Sequence, residues 1–312
     1  MKIVVAMDSL KGSLTSLEAG HAVREGALRA DPAARVAVRP LADGGEGTVD
    51  ALVSGLNGTR RRITVTGPMG DPVDCAYGIL PDGRTAVVEM SGAAGLPLVE
   101  PERRDPLRAT TYGVGEVLRD AIGQGCRRFI VGIGGSATND GGVGMLQALG
   151  YGFLDGNGRP IPRGAAGLAN LCTITDDGVL PELAQCEFKV ACDVTNPLCG
   201  EQGCSAVYGP QKGAGPAAIA RMDSWLARYA VLAAQRCPGK ADPDHPGAGA
   251  AGGMGFAFLA FTNAVLESGI RIVLAETGLA DYIREADLVV TGEGRLDGQT
   301  AMGKAPVGVA RL

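Results

Sequence analysis

Four times along this chain a short apolar run opens into a loop of glycines, hydroxyls and carboxylates. The loops occupy residues 8–13, 43–48, 132–142 and 291–300. Short apolar runs bounded by glycines read as buried strands, and a strand–loop–helix order marks a parallel α/β sheet. The first strand is predicted over residues 2–7. A helix follows to about Ala30, capped by Ser13 or Ser16 and ended by Asp31 and Pro32. A second strand is expected over 35–41 and a helix over 48–54. After Asn57 the texture changes. Residues 60–65 and 73–80 alternate like antiparallel strands, and the turn 81–84 leads to a strand at 85–90. Further helices are expected over 111–123, up to about Leu149, and over 216–236, 254–268 and 278–285. Further strands are expected over 129–132, 188–192 and 287–292. The fold class is therefore α/β. A discontinuous parallel domain, 1–60 with 286–312, is interrupted by an inserted mixed α/β domain, 61–285.

Glycine makes up 49 of the 312 residues, about twice the usual share, and brings tight turns and close backbone approach to ligands. With 29 Lys and Arg against 34 Asp and Glu, the net charge is −5. That argues against nucleic acid or a membrane surface as a partner. No run approaches the ~20 apolar residues of a membrane helix, and the amino-terminal run is too short for a secretory leader. A cytoplasmic location is expected, with the eight cysteines as thiols. Cys192, Cys199 and Cys204 lack the paired spacing of a zinc site. With two histidines, His21 and His245, there is little material for a histidine triad or a histidine-ligated metal.

Glycine loops at the carboxyl ends of parallel strands let N–H groups approach phosphate oxygens, and carboxylates there suit Mg²⁺ or proton abstraction. Two standard motifs fail on inspection. Residues 298–304 fit a phosphate loop up to Lys304, but Ala305 stands where a hydroxyl would hold Mg²⁺. Gly247, Gly249 and Gly252 fit G-x-G-x-x-G but follow a proline-rich loop, not a strand; a flexible or ligand-covering loop is the expectation. Asp193, at the end of a strand, is either an Asx-turn former or a catalytic carboxylate. Lys212 sits in a glycine turn, either solvated or functional. For Asp8, Lys11, Asp43 and Glu46, capping competes with chemistry.

Six segments carry a specific resemblance: Asp8-Ser-Leu-Lys-Gly-Ser13, Ala42-Asp-Gly-Gly-Glu-Gly-Thr48, Gly132-Ile-Gly-Gly-Ser-Ala-Thr-Asn-Asp-Gly-Gly142, Ala191-Cys-Asp-Val-Thr-Asn-Pro-Leu198, Tyr208-Gly-Pro-Gln-Lys-Gly213 and Thr291-Gly-Glu-Gly-Arg-Leu-Asp-Gly-Gln-Thr300. In this order, across essentially the whole chain, they resemble the bacterial class I glycerate kinases. Leu10 and Gly12 depart from that pattern, where relatives often have an aromatic and an acidic residue. The resemblance implies a flavodoxin-like domain with an inserted domain, and phosphorylation of D-glycerate by ATP, usually to 2-phosphoglycerate. It also implies a chain truncated at the C-terminus, since the family's chains continue past the segment matching 303–306. Residue chemistry then suggests roles. Asp193, Lys11 and Asp8 are the catalytic candidates, and Arg295, Ser9, Asn196 and Lys212 the substrate-binding ones. Gly134, Gly135, Ser136, Thr138, Gly44 and Gly45 would cradle the nucleotide, and Asp43, Glu46 and Glu293 would hold Mg²⁺. Transfer to the 3-position or to a related hydroxy acid is the runner-up. A nicotinamide oxidoreductase and a silent binding protein are the non-kinase alternatives. Self-association is left open.

Overall fold

A computed structural model describes the chain except for Lys11, Asp43, Gly44, Glu46, Asp297, Met302, Gly303 and the side chains of Gln299 and Ala301. Among the described residues, strands β1 (Lys2–Met7), β2 (Arg35–Val38) and β11 (Leu288–Gly292) form a parallel sheet in the order β11-β1-β2. A second sheet runs β10-β9-β6-β5-β4-β3. Its strands are β3 (Thr59–Thr66), β4 (Pro72–Ile79), β5 (Thr85–Glu89), β6 (Arg128–Gly132), β9 (Glu187–Ala191) and β10 (Ala264–Glu267). β5, β6, β9 and β10 are parallel to one another, and β3 and β4 pair antiparallel at the edge. A small hairpin, β7 (Gly152–Leu154) with β8 (Thr173–Thr175), lies apart.

Side-chain alternation divides the interior. Ala86 and Val88, Phe129 and Val131, and Phe188 and Val190 face one core, under the helices Tyr112–Gly123, Val143–Ala148 and Ala250–Phe261. There Phe129 and Phe188, register partners on β6 and β9, stack 4.8 Å apart. Val87, Ile130 and Ala191, on the alternate positions of the same strands, face a second core that also takes Val4 and Ala6 of β1. Helices Thr48–Gly55, Gly269–Glu276 and Ala305–Ala310 fill it, so the two sheets share one apolar layer. Ile3 and Val5, on the opposite face of β1, pack against helix Ser16–Ala30.

Most elements lie where the sequence placed them, with instructive exceptions. The first helix is capped by Thr15, not Ser13 or Ser16. Thr15 accepts from the Glu18 N–H while Glu18 accepts from the Thr15 N–H, a capping box. β2 stops at Val38 rather than 41. The expected helix over 254–268 ends at Phe261, and residues 264–267 are strand β10. That helix is buried all round, so no amphipathic period marks where it stops. The stop is local: Thr262 turns to extended geometry and its hydroxyl donates to the Phe258 carbonyl at 2.6 Å. Helix Gly269–Glu276 and the small hairpin are further elements without a sequence signal. Among the described residues no helix is long and apolar enough to cross a membrane.

Candidate active site

The carboxyl ends of the parallel strands in both sheets carry the loops singled out from sequence. Leaving β2, the chain runs along β1 as far as Leu41, whose N–H donates to the Met7 carbonyl, and then enters the 42–48 loop. Gly45 of that loop meets Gly134, two residues past β6. A Cβ on Gly134 would stand 3.5 Å from the Gly45 Cα. Glu89, the last residue of β5, reaches across and accepts from the Val49 N–H at 2.7 Å. Val49 lies in the first turn of helix Thr48–Gly55, whose cap, Gly47, has no side chain to offer. The strand expected over 85–90 hides Glu89 inside an apolar run, whereas β5 in fact ends at Glu89, as β9 ends two residues before Asp193. A charge-assisted bond of this kind contributes about 1.5–3 kcal/mol. Glu89→Ala is expected to lose about that much in urea unfolding, and an unchanged midpoint would show that the contact does not tie the loop to the large sheet.

Met7 pairs with Gly292, and the Asp8 N–H donates to the Gly292 carbonyl at 2.9 Å, so Asp8 and Glu293 follow neighbouring strands side by side. Asp8 is 4% exposed, with Oδ1 accepting from the Ser9 N–H at 2.7 Å. Half-buried Glu293 accepts from the Thr300 hydroxyl. Two adjacent carboxylates fit Mg²⁺, which binds one or two acids and completes its shell with phosphate and water. Among the described residues no cluster of three His, Cys, Asp or Glu side chains forms a site by itself.

Within the 132–142 loop only Gly134 and Gly135 are exposed; Ser136, Ala137, Thr138, Asn139 and Asp140 are buried. Gly135 has φ +74°, where a side chain would strain the backbone. The Gly135 carbonyl accepts from the Leu96 N–H and the Ala137 N–H donates to the Ala94 carbonyl. Among the described residues no acceptor is found for the N–H groups of Gly134, Gly135 and Ser136.

The buried half of the loop is a support. Asp140 accepts from the Thr111 N–H and hydroxyl at 2.8 and 2.9 Å, and from the N–H groups of Gly142 and Gly144 at 3.2 and 3.3 Å. Burial pushes its carboxyl pKa up, against the downward pull of these donors. Asn139 donates to the Ser205 hydroxyl at 2.8 Å. Lys212 corrects the picture of a solvated turn. It is 1% exposed, and its amine donates to the Ser136 hydroxyl at 2.8 Å and the Thr138 carbonyl at 2.6 Å. The segment 247–253 is likewise no flexible cover. Ala251, Gly252 and Gly253 form a left-handed turn inside the helix Ala250–Phe261. A Cβ on Gly252 would lie 2.1 Å from the Thr138 carbonyl oxygen, and one on Gly249 2.1 Å from that of Pro197. These glycines let the turn press against two site loops.

Asp193 is exposed just past β9, with Oδ1 accepting from the Gly269 N–H at 3.2 Å, at the start of helix Gly269–Glu276. The Asn196 side chain works internally, donating to the Gln202 carbonyl and accepting from the Tyr208 hydroxyl at 2.6 Å. Arg295 is exposed on the loop after β11. Lys11, Asp43, Gly44 and Glu46 lie outside the described residues. A surface cavity of about 550 Å³ opens instead beside Lys2, Arg35, Tyr282 and Glu285. It lies toward the amino ends of β1 and β2, away from these loops, where a parallel sheet delivers no loop to a ligand.

Parallel strands of two sheets that bring glycine loops and carboxylates together at their carboxyl ends define a ligand-binding α/β protein. Comparison with known proteins narrows the class. Residues 3–312 match the model of the glycerate kinase family. The chain is 51% identical over 311 residues to the glycerate kinase of Haemophilus influenzae, covering 100% of this chain and 82% of that protein. It is 48% identical over 312 residues to the glycerate 2-kinase of Escherichia coli, with 100% and 82% covered. The crystal structure of a putative glycerate kinase 2 from Salmonella typhimurium LT2 superposes with a TM-score of 0.95 at 50% identity, covering 100% of this chain and 83% of that one. The chain belongs to the glycerate kinase family.

Proposed function

We propose that this protein transfers the terminal phosphoryl group of ATP to the 2-hydroxyl of D-glycerate, with Mg²⁺, giving 2-phosphoglycerate and ADP. The observation that carries the reading is the run of N–H groups at Gly134, Gly135 and Ser136, without acceptors among the described residues, on a loop that meets the second glycine loop at Gly134. Successive backbone N–H groups of this kind bind phosphate oxygens. The glycerate kinase and glycerate 2-kinase relatives supply the acceptor.

In this reading the 2-hydroxyl oxygen attacks the terminal phosphorus in line, the new O–P bond forms as the bond to the ADP oxygen breaks, and the hydroxyl proton passes to Asp193. The Gly269 N–H holds one oxygen of Asp193 and so orients the carboxylate at the end of β9. Gly134, Gly135 and Ser136 hold phosphate oxygens. Asp8 and Glu293 would hold Mg²⁺, which when bound neutralises phosphate charge. Arg295 has the fork geometry to clamp the glycerate carboxylate. Lys11, Asp43 and Glu46 keep the roles suggested by their chemistry. Residues 1–60 with 286–312 make up one unit of the enzyme and 61–285 the other. The reaction runs in the cytoplasm, in keeping with eight free thiols.

Incubation with Mg-ATP and D-glycerate, followed through ADP and phosphorus NMR of the product, tests this. ADP with a 2-phosphorylated product is expected. A 3-phosphorylated product would overturn the regiochemistry and keep the kinase; no ADP would remove the reading.

A further inference from the structure

We propose that Lys212 is the positioning residue of the phosphate-binding loop: its buried ammonium holds Ser136 and Thr138 from beneath, fixes the exposed Gly134 and Gly135 backbone above them, and places a positive charge behind the site of the ATP phosphates. The inference rests on the reading of that loop as the phosphate site.

The geometry is unusual for a lysine. The side chain is 1% exposed, although lysine is rarely fully buried without a partner. Its two hydrogen-bond partners belong to one three-residue stretch, the hydroxyl of Ser136 and the carbonyl of Thr138. The backbone leading to it is equally constrained. Gly213, the next residue, has φ +95°, and a Cβ there would lie 2.5 Å from the Arg104 carbonyl oxygen. The amine is therefore built into the loop's underside rather than open to the substrate. The loop's upper edge is pinned separately, by Ala94 and Leu96. These two supports attach at residues 135 to 138, next to the three N–H groups for which no acceptor is found among the described residues. A buried cation at this place acts on a phosphate through a low-dielectric layer, where charge is screened far less than at the surface.

Burial also lowers the Lys212 pKa from the usual lysine value to about 8. The titratable and charged groups on the elements packed about it are Asp140 of the same loop, Cys204 and Tyr208 of the helix Cys204–Tyr208, Tyr229 of the helix Pro216–Arg236, and Arg104. Cys204 is pushed up to about 11 by burial, and Tyr208 and Tyr229 also lie above their ordinary values. These thiol and phenol groups therefore still hold their protons near pH 8, where Lys212 loses its own. The sign for stability is opposite to that for binding. Between pH 8 and the ordinary lysine value the unfolded chain keeps this proton and the folded chain has lost it, so stability from this group rises with pH. Affinity for a polyanion falls over the same window. A purely structural lysine would not separate the two.

The test is a pH series from 7 to 9.5 of the KM for ATP and of ATP binding by titration calorimetry, on wild type and Lys212→Met. In the wild type the KM and Kd for ATP are expected to rise above about pH 8, levelling off at about tenfold, while the KM for glycerate stays level. In Lys212→Met both ATP constants are expected to be raised by about tenfold at pH 7 and to stay flat with pH. Ser136→Ala, which keeps the ammonium and drops one acceptor, guards against misfolding of the first variant; it is expected to retain the alkaline rise from a weaker starting affinity. ATP constants in the wild type that do not change across the series would overturn the proposal, as would the same alkaline rise persisting in Lys212→Met. ATP binding without ADP formation from glycerate would count against the acceptor assigned above and leave the calorimetric test of Lys212 intact.

Discussion

Asp193→Asn is expected to lower kcat for glycerate phosphorylation by about 10²–10⁴-fold, the range for loss of a positioned general base. The substitution separates chemistry from structure. The amide oxygen of asparagine still accepts from the Gly269 N–H, the contact that Asp193 Oδ1 makes at 3.2 Å, so the melting temperature should hold within about 1 °C. The KM for ATP should also hold, because the phosphate loop lies on a different strand. Steady-state kinetics beside a thermal scan would decide the matter. A kcat within twofold of wild type would remove Asp193 as the base and leave it as the cap of helix Gly269–Glu276.

The second large effect is on stability. Asp140→Ala removes the acceptor of Thr111, Gly142 and Gly144, all buried. An unsatisfied buried donor costs about 1–3 kcal/mol, and with several stranded together the loss should reach about 3–5 kcal/mol. For a chain of this size that lowers the melting temperature by about 5–10 °C. Asp140→Asn should recover only part of this, since an amide nitrogen turned toward those donors repels them. Alanine at 140 with an unchanged melting temperature would mean that the loop is held by its glycine packing and by Lys212 alone.

Parallel strands such as β1 and β6 were legible because each is a short apolar run closed by glycine or an acid, at Met7 to Asp8 and Gly132 to Gly134. The loops that meet at Gly45 and Gly134 were legible for the same reason. What lies beneath the loop was not. A lysine in Gly-Pro-Gln-Lys-Gly reads equally as a solvated turn or a functional residue, and only the tertiary fold brings Lys212 under Ser136, 76 residues away in sequence. The left-handed turn at Ala251, Gly252 and Gly253 is hidden in the same way. Alanine carries no expectation of positive φ, and the G-x-G-x-x-G pattern points toward a ligand when the need is close approach to Thr138 and Pro197. β10 was missed because apolar residues flank Thr262 and Asn263 on both sides, and such short apolar runs support helix and strand equally.

The apolar layer shared by the two sheets bears on how the enzyme must move. Val4 and Ala6 of one sheet, Val87 and Ile130 of the other, and the helices between them interlock as one packed body. Glycine loops at its rim can be drawn together over a nucleotide only if that body gives. A continuous packed seam favours sliding over swinging: side chains stay in their rotamers while helices shift by about 1–2 Å. Any closure over a ligand is then expected as a small shear spread through this interior, with catalytic alignment sensitive to buried residues of that layer such as Leu52 and Val273.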